Sequence, residues 1–254
     1  MSALFMWGLR FDAQPVLRVD VNGAGAEDVT LATSANTDYF MSGDGQADDL
    51  LEVLETAIES HSVGPTCAGT LTAGFKVQTA VSGLGVNHQL LWSHANTTAD
   101  PLMFGYTAVD TSAAATLASS NEPQGLWRPG RKLSHPDERE RQVTLGGVSR
   151  SMSGAVRVSN FGTTKKERDL TVRRFLRKYA KDTYADATAP FNTFESAWFR
   201  SMSLGRAFRV YEDETDLSTS AYTTYRVRSL VDPLSIDPDT RIRWAVQNLE
   251  VVQV

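Results

Sequence analysis

The chain has 254 residues, 41% of them hydrophobic and 22% charged, and a formal net charge of −5. These proportions are ordinary for a globular protein and allow one large or two small domains around a buried core. A single cysteine, Cys67, excludes an internal disulfide and a Cys-rich metal site, and no run approaches the roughly 18–20 apolar residues of a membrane span.

The opening MSALFMWGLRF lacks a basic n-region and has too short an apolar stretch for a secretory signal. Strand-like alternation follows. Leu17, Val19 and Val21 share one face and Arg18, Asp20 and Asn22 the other, with Gly23-Ala24-Gly25 as a turn and Val29–Thr33 as the returning strand. A short strand at Asp38–Met41 runs into the turn cluster Ser42-Gly43-Asp44-Gly45. The clearest helix spans Ala47–Ser60. There Leu50, Leu51, Val53, Leu54, Ala57 and Ile58 repeat at threes and fours, while Asp48, Asp49, Glu52, Glu55 and Glu59 take the remaining face. Acids in its first turn favour the helix dipole, and Gly64-Pro65 stops it.

Gly69–Thr79 and His88–Ser93 read as strands. The stretch Asp110–Glu140, rich in Ala, Ser, Pro and Gly, reads as an extended connection interrupted by Leu126-Trp127. A module boundary is expected near residue 140. Beyond it, Gln142–Val148 and Gly154–Asn160 are strand-like, separated by Ser-Met-Ser. Lys165–Lys181 opens as a strand with Leu170 and Val172 in phase and continues as a helix. Thr193–Ser203 is a second helix, with capping-box spacing between Asn192 and Glu195 and Gly205 as its C-cap. Ala207–Tyr211, Tyr222–Leu230 and Arg241–Val252 close the chain as strands. The expected class is α+β, β-rich and antiparallel sandwich-like, with two to three helices and extended arms at 1–12, 110–140 and 213–221. Two modules are expected, an acidic one at 1–140 and a basic one at 141–254.

Charge separates the two halves. Residues 1–120 hold 13 Asp/Glu against 3 Lys/Arg, a balance of −10, and residues 121–254 hold 17 against 22, a balance of +5. The basic surplus concentrates between Lys165 and Lys181, with eight Lys/Arg and two acids. The four candidates Arg173, Arg174, Arg177 and Lys178 fit a solvated face, a protein interface or a nucleic-acid channel, and the acidic net charge weighs against the last. Trp198 and Phe199 are adjacent and cannot both face one side of a helix, so one of them is a candidate subunit contact.

Motifs for chemistry are scarce. The turn Asp44–Asp49 has oxygen ligands at calcium-like spacing, but Glu55, the twelfth position counted from Asp44, lies inside the helix, so a helix start explains the acids better. His61, His88, His94 and His135 have no metal-ligand spacing, and no nucleophile elbow, P-loop or dinucleotide fingerprint is present. Cys67 reads as a small loop hydrophobe. No enzyme and no cofactor are expected.

Three stretches together resemble the structural proteins of tailed bacteriophages. They are the strand–turn–helix unit Asp38–Glu55, the series Leu90–Trp92, Leu102–Tyr106 and Gly125–Pro129, and the set Phe194–Trp198, Gly205–Tyr211 and Trp244–Val251. The last is similar to the C-terminal part of minor tail and baseplate proteins. The resemblance implies a virion component, assembled as a homo-oligomeric ring or bridging neighbouring virion proteins, with no membrane partner and no catalytic residues. Two alternatives are a carbohydrate-binding tail tip using Trp92, Trp127 and Tyr106, and a head–tail connector near DNA. In the assembly reading, the acidic segment Asp48–Glu59 and the basic segment Lys165–Lys181 meet between subunits or face different partners, mainly for steering and register.

Overall fold

The N-terminal run Leu4-Phe5-Met6-Trp7 is buried on both faces, so the chain opens inside a sheet rather than as a free arm. A computed structural model describes residues 2–133, 141–143, 146–150, 156–160, 165–187, 191–240 and 242–254. His135, the end of the expected connector at 134–140 and the Ser-Met-Ser at 151–153 lie outside the described residues.

The elements of the first half are β1 (Leu4–Trp7), β2 (Val16–Val21), β3 (Glu27–Thr30), α1 (Leu50–Glu59), β4 (Pro65–Leu71), β5 (Val77–Gly83), β6 (His88–Leu90), β7 (Thr116–Ala118) and β8 (Leu126–Trp127). The second half adds β9 (Arg141–Val143), β10 (Gly146–Arg150), β11 (Val156–Asn160), β12 (Lys165–Phe175), α2 (Phe194–Arg200), β13 (Phe208–Tyr211), β14 (Tyr222–Val227), β15 (Leu234–Ile236) and β16 (Trp244–Gln253). The protein is α+β and mostly β, with antiparallel sheets.

The large sheet runs β8-β1-β13-β14-β16-β12-β9, with β15 also paired to β16. Two three-stranded sheets, β3-β2-β6 and β4-β5-β7, and the hairpin β10-β11 account for the other described strands. Period-two alternation splits β1 and β13 between two cores. Phe5, Trp7, Phe208 and Val210 enter the main cluster, while Leu4, Met6 and Tyr211 join Phe40, Phe75 and Leu126 on the opposite face. Each large side chain buried this way contributes roughly 1.5–3 kcal/mol.

The expected boundary near 140 does not separate two sheets. β1 and β8 precede it, β13 follows it, and all three hydrogen-bond in one sheet. Trp127 is the physical reason: fully buried, its ring lies 4.8 Å from Phe5, 5.4 Å from Phe175 and 5.1 Å from Phe194. The stretch expected as a connector therefore carries β7 and β8, and the arm expected at 1–12 carries a strand inside the large sheet.

The alternation in β2 holds, with Leu17, Val19 and Val21 buried. The apolar face of α1 is the expected one, but the helix starts at Leu50 because Asp49 is its N-cap, accepting from the Leu51 N–H. Gly69–Thr79 is interrupted by a turn at Thr72–Lys76, where Phe75 takes φ +55° and buries its ring. In α2 the cap is Thr193, accepting from the Ser196 N–H, one residue later than the expected Asn192. Gly205 does adopt a left-handed conformation, ending a 3-10 turn at Met202–Leu204. The basic run continues as a 3-10 turn at Arg177–Tyr179 rather than as an α-helix.

Candidate functional site

The acidic turn and the basic half meet inside the chain. Arg209, on the face of β13 opposite Phe208 and Val210, donates from Nη1 to Asp44 Oδ2 at 2.8 Å and to Ser42 Oγ at 3.0 Å. Its Nη2 donates to both oxygens of Asp48, at 2.9 and 3.0 Å. The guanidinium also lies over the rings of Phe40 and Tyr222, at 4.3 and 4.2 Å from their centroids. Side-chain exposure is 4% for Arg209 and 1% for Asp44, so this is a buried ion pair with both terminal nitrogens of the arginine engaged. The expected surface acid Asp48 is thereby committed to Arg209, and the calcium-like spacing serves an arginine.

Asp49 is buried as well. Its carboxylate accepts from the Leu51 N–H and the Gly45 N–H, and burial raises its pKa against the lowering effect of those bonds. Of the remaining acidic candidates, Glu52 faces solvent, whereas Glu55 and Glu59 reach β4. Glu59 Oε1 accepts the Cys67 N–H at 2.8 Å, and Glu55 accepts the Gly69 N–H. Four helical residues rise about 6 Å and two strand residues about 6.8 Å, so the pair matches alternate amides on the open edge of β4. Gly69 leaves room for this: a Cβ there would lie 2.8 Å from Glu55 Oε1. The pattern that marked a solvated acidic face thus blocks a strand edge.

The basic candidates occupy the end of β12 and the turn after it. The register of β12 against β16 shifts between Val172 and Phe175, and Arg174 at φ +61° takes up the irregularity. Arg173 and Arg174 are therefore both exposed, which simple alternation does not predict. Arg174 pairs with Asp239 at 3.2 Å, Lys178 with Asp186 at 3.6 Å and Lys181 with Glu195 at 3.8 Å, while Arg177 covers the Tyr184 ring. These partners all belong to the C-terminal half. The structure does not bring Glu52, Glu55 or Glu59 together with them in one chain.

Trp198 is buried at 3% exposure and stacks near Phe194, while Phe199 is exposed at 61%. The expected divergence of these neighbours is found, and Phe199 is the outward one. The three rings expected as a glycan platform, Trp92, Trp127 and Tyr106, are all core residues. Trp92 stacks on Tyr106 at 5.3 Å, and Trp127 Nε1 donates to Tyr179 O at 2.7 Å.

Cys67 lies in β4 rather than in a loop, and burial pushes its thiol up to about 12. His88 is fully buried. Its Nδ1–H donates to Ala114 O at 3.0 Å and its Nε2 accepts from Thr79 Oγ1 at 2.8 Å, which assigns the neutral tautomer. Burial lowers its pKa. His61 Nδ1 accepts from the Val63 N–H and its Nε2–H donates to Gly25 O. Both histidines are thus engaged by the fold. Among the described residues, no group of three or more His, Cys, Asp or Glu forms a metal-sized cluster.

A cleft of about 340 Å³ lies between the β4–β5 turn and residues 214–217, with Phe75, Arg128 and Glu214 on its walls. Arg128 lies over the Phe75 ring at 4.4 Å, pairs with Glu122 behind the wall and lies 3.8 Å from Glu214 across it. Comparison with protein-family models and with curated proteins found no match to this chain.

Proposed function

We propose that the protein is a non-enzymatic structural component of a phage tail or baseplate, assembling with copies of itself or bridging neighbouring virion proteins. The observation that carries the assembly part is the separation of charge along the folded chain. The ion pairs of Arg174, Lys178 and Lys181 stay within the basic half. The acidic half keeps its own balance of −10, offset from the other half by the Arg209 centre and a 4.0 Å contact of Arg226 with Asp38. Opposite charge on different parts of one subunit favours head-to-tail approach of copies. The hairpin β10-β11 adds support. Among the described residues it pairs with no other strand, and an isolated two-stranded hairpin is marginal in water. The phage part rests on the sequence resemblance.

Sedimentation of the purified chain over a wide concentration range tests assembly, and antibody labelling of particles from a producing host tests virion membership. Concentration-dependent oligomers and labelled tails are the expected results. A chain that stays monomeric and is absent from particles rules the reading out.

A further inference from the structure

The cleft between the β4–β5 turn and residues 214–217 has two fixed walls. On one side the Phe75 N–H donates to Thr72 O at 2.8 Å and the Thr72 N–H to Lys76 O at 2.9 Å, and the Lys76 N–H adds a bond to Thr72 Oγ1. This turn holds Phe75 at φ +55°, a conformation that bulky side chains rarely adopt and that persists where the surroundings impose it. On the other side the Glu214 N–H donates to Ser2 O at 2.8 Å, which moors the loop beside the start of β1. Asp213 accepts from the Thr215 N–H and hydroxyl, so its carboxylate is engaged within that loop.

Arg128 and Glu214 carry opposite charges between these walls, and neither is fully engaged. Glu122 takes Nη2 of Arg128, and stacking over Phe75 fixes the guanidinium plane. Nη1 faces Glu214 Oε2 at 3.8 Å, beyond hydrogen-bond distance. Among the described residues the Glu214 carboxylate accepts no hydrogen bond. The two side chains are 28 and 25% exposed, so solutes reach both. Leu71, Ala73 and Leu217 join Phe75 as apolar lining. A cleft of ligand size with apolar walls and a few converging polar groups is the common form of a small-molecule site.

We propose that this cleft binds a free α-amino acid with an apolar side chain. The ligand carboxylate accepts from Arg128 Nη1, its ammonium donates to Glu214, and its side chain lies along Leu71, Phe75 and Leu217. An α-amino acid carries both charges on one carbon, which suits a donor and an acceptor only 3.8 Å apart. Two carboxylates, Glu122 and Glu214, stand here against one guanidinium. A ligand with a carboxylate alone therefore meets a net negative site, and one with an ammonium alone leaves Nη1 unmatched. The site goes beyond the assembly reading and stands whether or not the chain self-associates.

Calorimetric titration of the full chain with L-leucine tests the site. The controls are leucinamide, which keeps only the ammonium, N-acetylleucine, which keeps only the carboxylate, and ε-aminocaproate, whose two charges lie far apart. L-leucine should bind with a Kd of about 1 mM or tighter. Each control should bind about tenfold or more weakly, the scale of one lost charge-assisted hydrogen bond. Glu214→Ala removes a carboxylate that accepts no hydrogen bond in the fold, so the variant should stay folded, which circular dichroism checks, and should weaken leucine binding by a similar factor. The proposal falls if L-leucine gives no saturable heat at about 10 mM. It falls equally if any control binds as tightly as L-leucine, or if folded Glu214→Ala binds L-leucine as wild type does. None of these results bears on assembly, which sedimentation reads separately.

Discussion

Arg209 Nη1 lies 2.8 Å from Asp44 Oδ2, and this contact ties a strand of the C-terminal half to the acidic turn of the N-terminal half. Because both partners are almost fully buried, removing one leaves the other charged and unmatched. Arg209→Ala should destabilise the protein by about 3–5 kcal/mol, and Arg209→Lys should recover only part of that, since lysine cannot bridge Asp44 and Asp48 in one plane. Urea denaturation checks this. A cost below about 1 kcal/mol for the alanine variant would show that the pair carries little.

The carboxylates over the β4 edge predict a separable pair of effects. Glu59→Ala should cost about 1 kcal/mol and speed exchange of the Cys67 amide, while Glu59→Gln should keep most of the protection because the amide oxygen still accepts. Gly69→Ala should displace Glu55 and speed exchange of the amide at that position. Unchanged exchange in all three variants would mean that the carboxylates do not guard the edge.

The cap at Asp49 combines a favourable hydrogen bond with an unfavourable buried charge. Asp49→Asn keeps an acceptor for the Leu51 N–H and removes the buried charge, but turns its NH2 toward the Gly45 N–H, so at pH 7 it should cost less than Asp49→Ala without being stabilising. Asp49→Ala should cost about 0.5–2 kcal/mol. Thermal melts of the two variants decide it; equal losses would argue that the charge itself is needed.

His88 supplies a pH dependence. Its folded pKa is lowered by burial, so the unfolded chain takes up a proton first as pH falls. Its contribution is fully present above the unfolded value of about 6.5 and is lost as pH drops from there toward the folded value. Stability measured by denaturant between about pH 7.5 and 5 should fall more steeply in wild type than in His88→Gln, after the common carboxylate effects are subtracted. Parallel curves would remove His88 as the cause.

Much of the local structure was legible in the residues themselves. The alternation at Leu17, Val19 and Val21 and the three–four repeat from Leu50 to Ile58 identify a strand and a helix because burial on one face imposes those periods. Trp198 and Phe199 had to diverge because adjacent residues on a helix are about 100° apart. The β-rich α+β class follows from such runs taken together.

The candidate site was legible only as composition. The run of acids at 44–59 looks like one charged face, but Asp44 and Asp48 are claimed by Arg209, whose separations from them are 165 and 161 positions. Glu55 and Glu59 are claimed by the backbone of β4. The irregularity that exposes Arg173 and Arg174 together depends on the register between β12 and β16, and no local pattern specifies that register.

Periods, turns, the separation of charge and the lack of a catalytic signature can all be read along the chain, because each depends on neighbours in sequence. Only the fold settles that β1 and β8 share a sheet with β13, that Trp92, Tyr106 and Trp127 are core, and that Glu55 and Glu59 cap the edge of β4. Those outcomes depend on which distant surfaces bury each other, and burial between segments far apart in sequence leaves no periodic trace of the partner in either one.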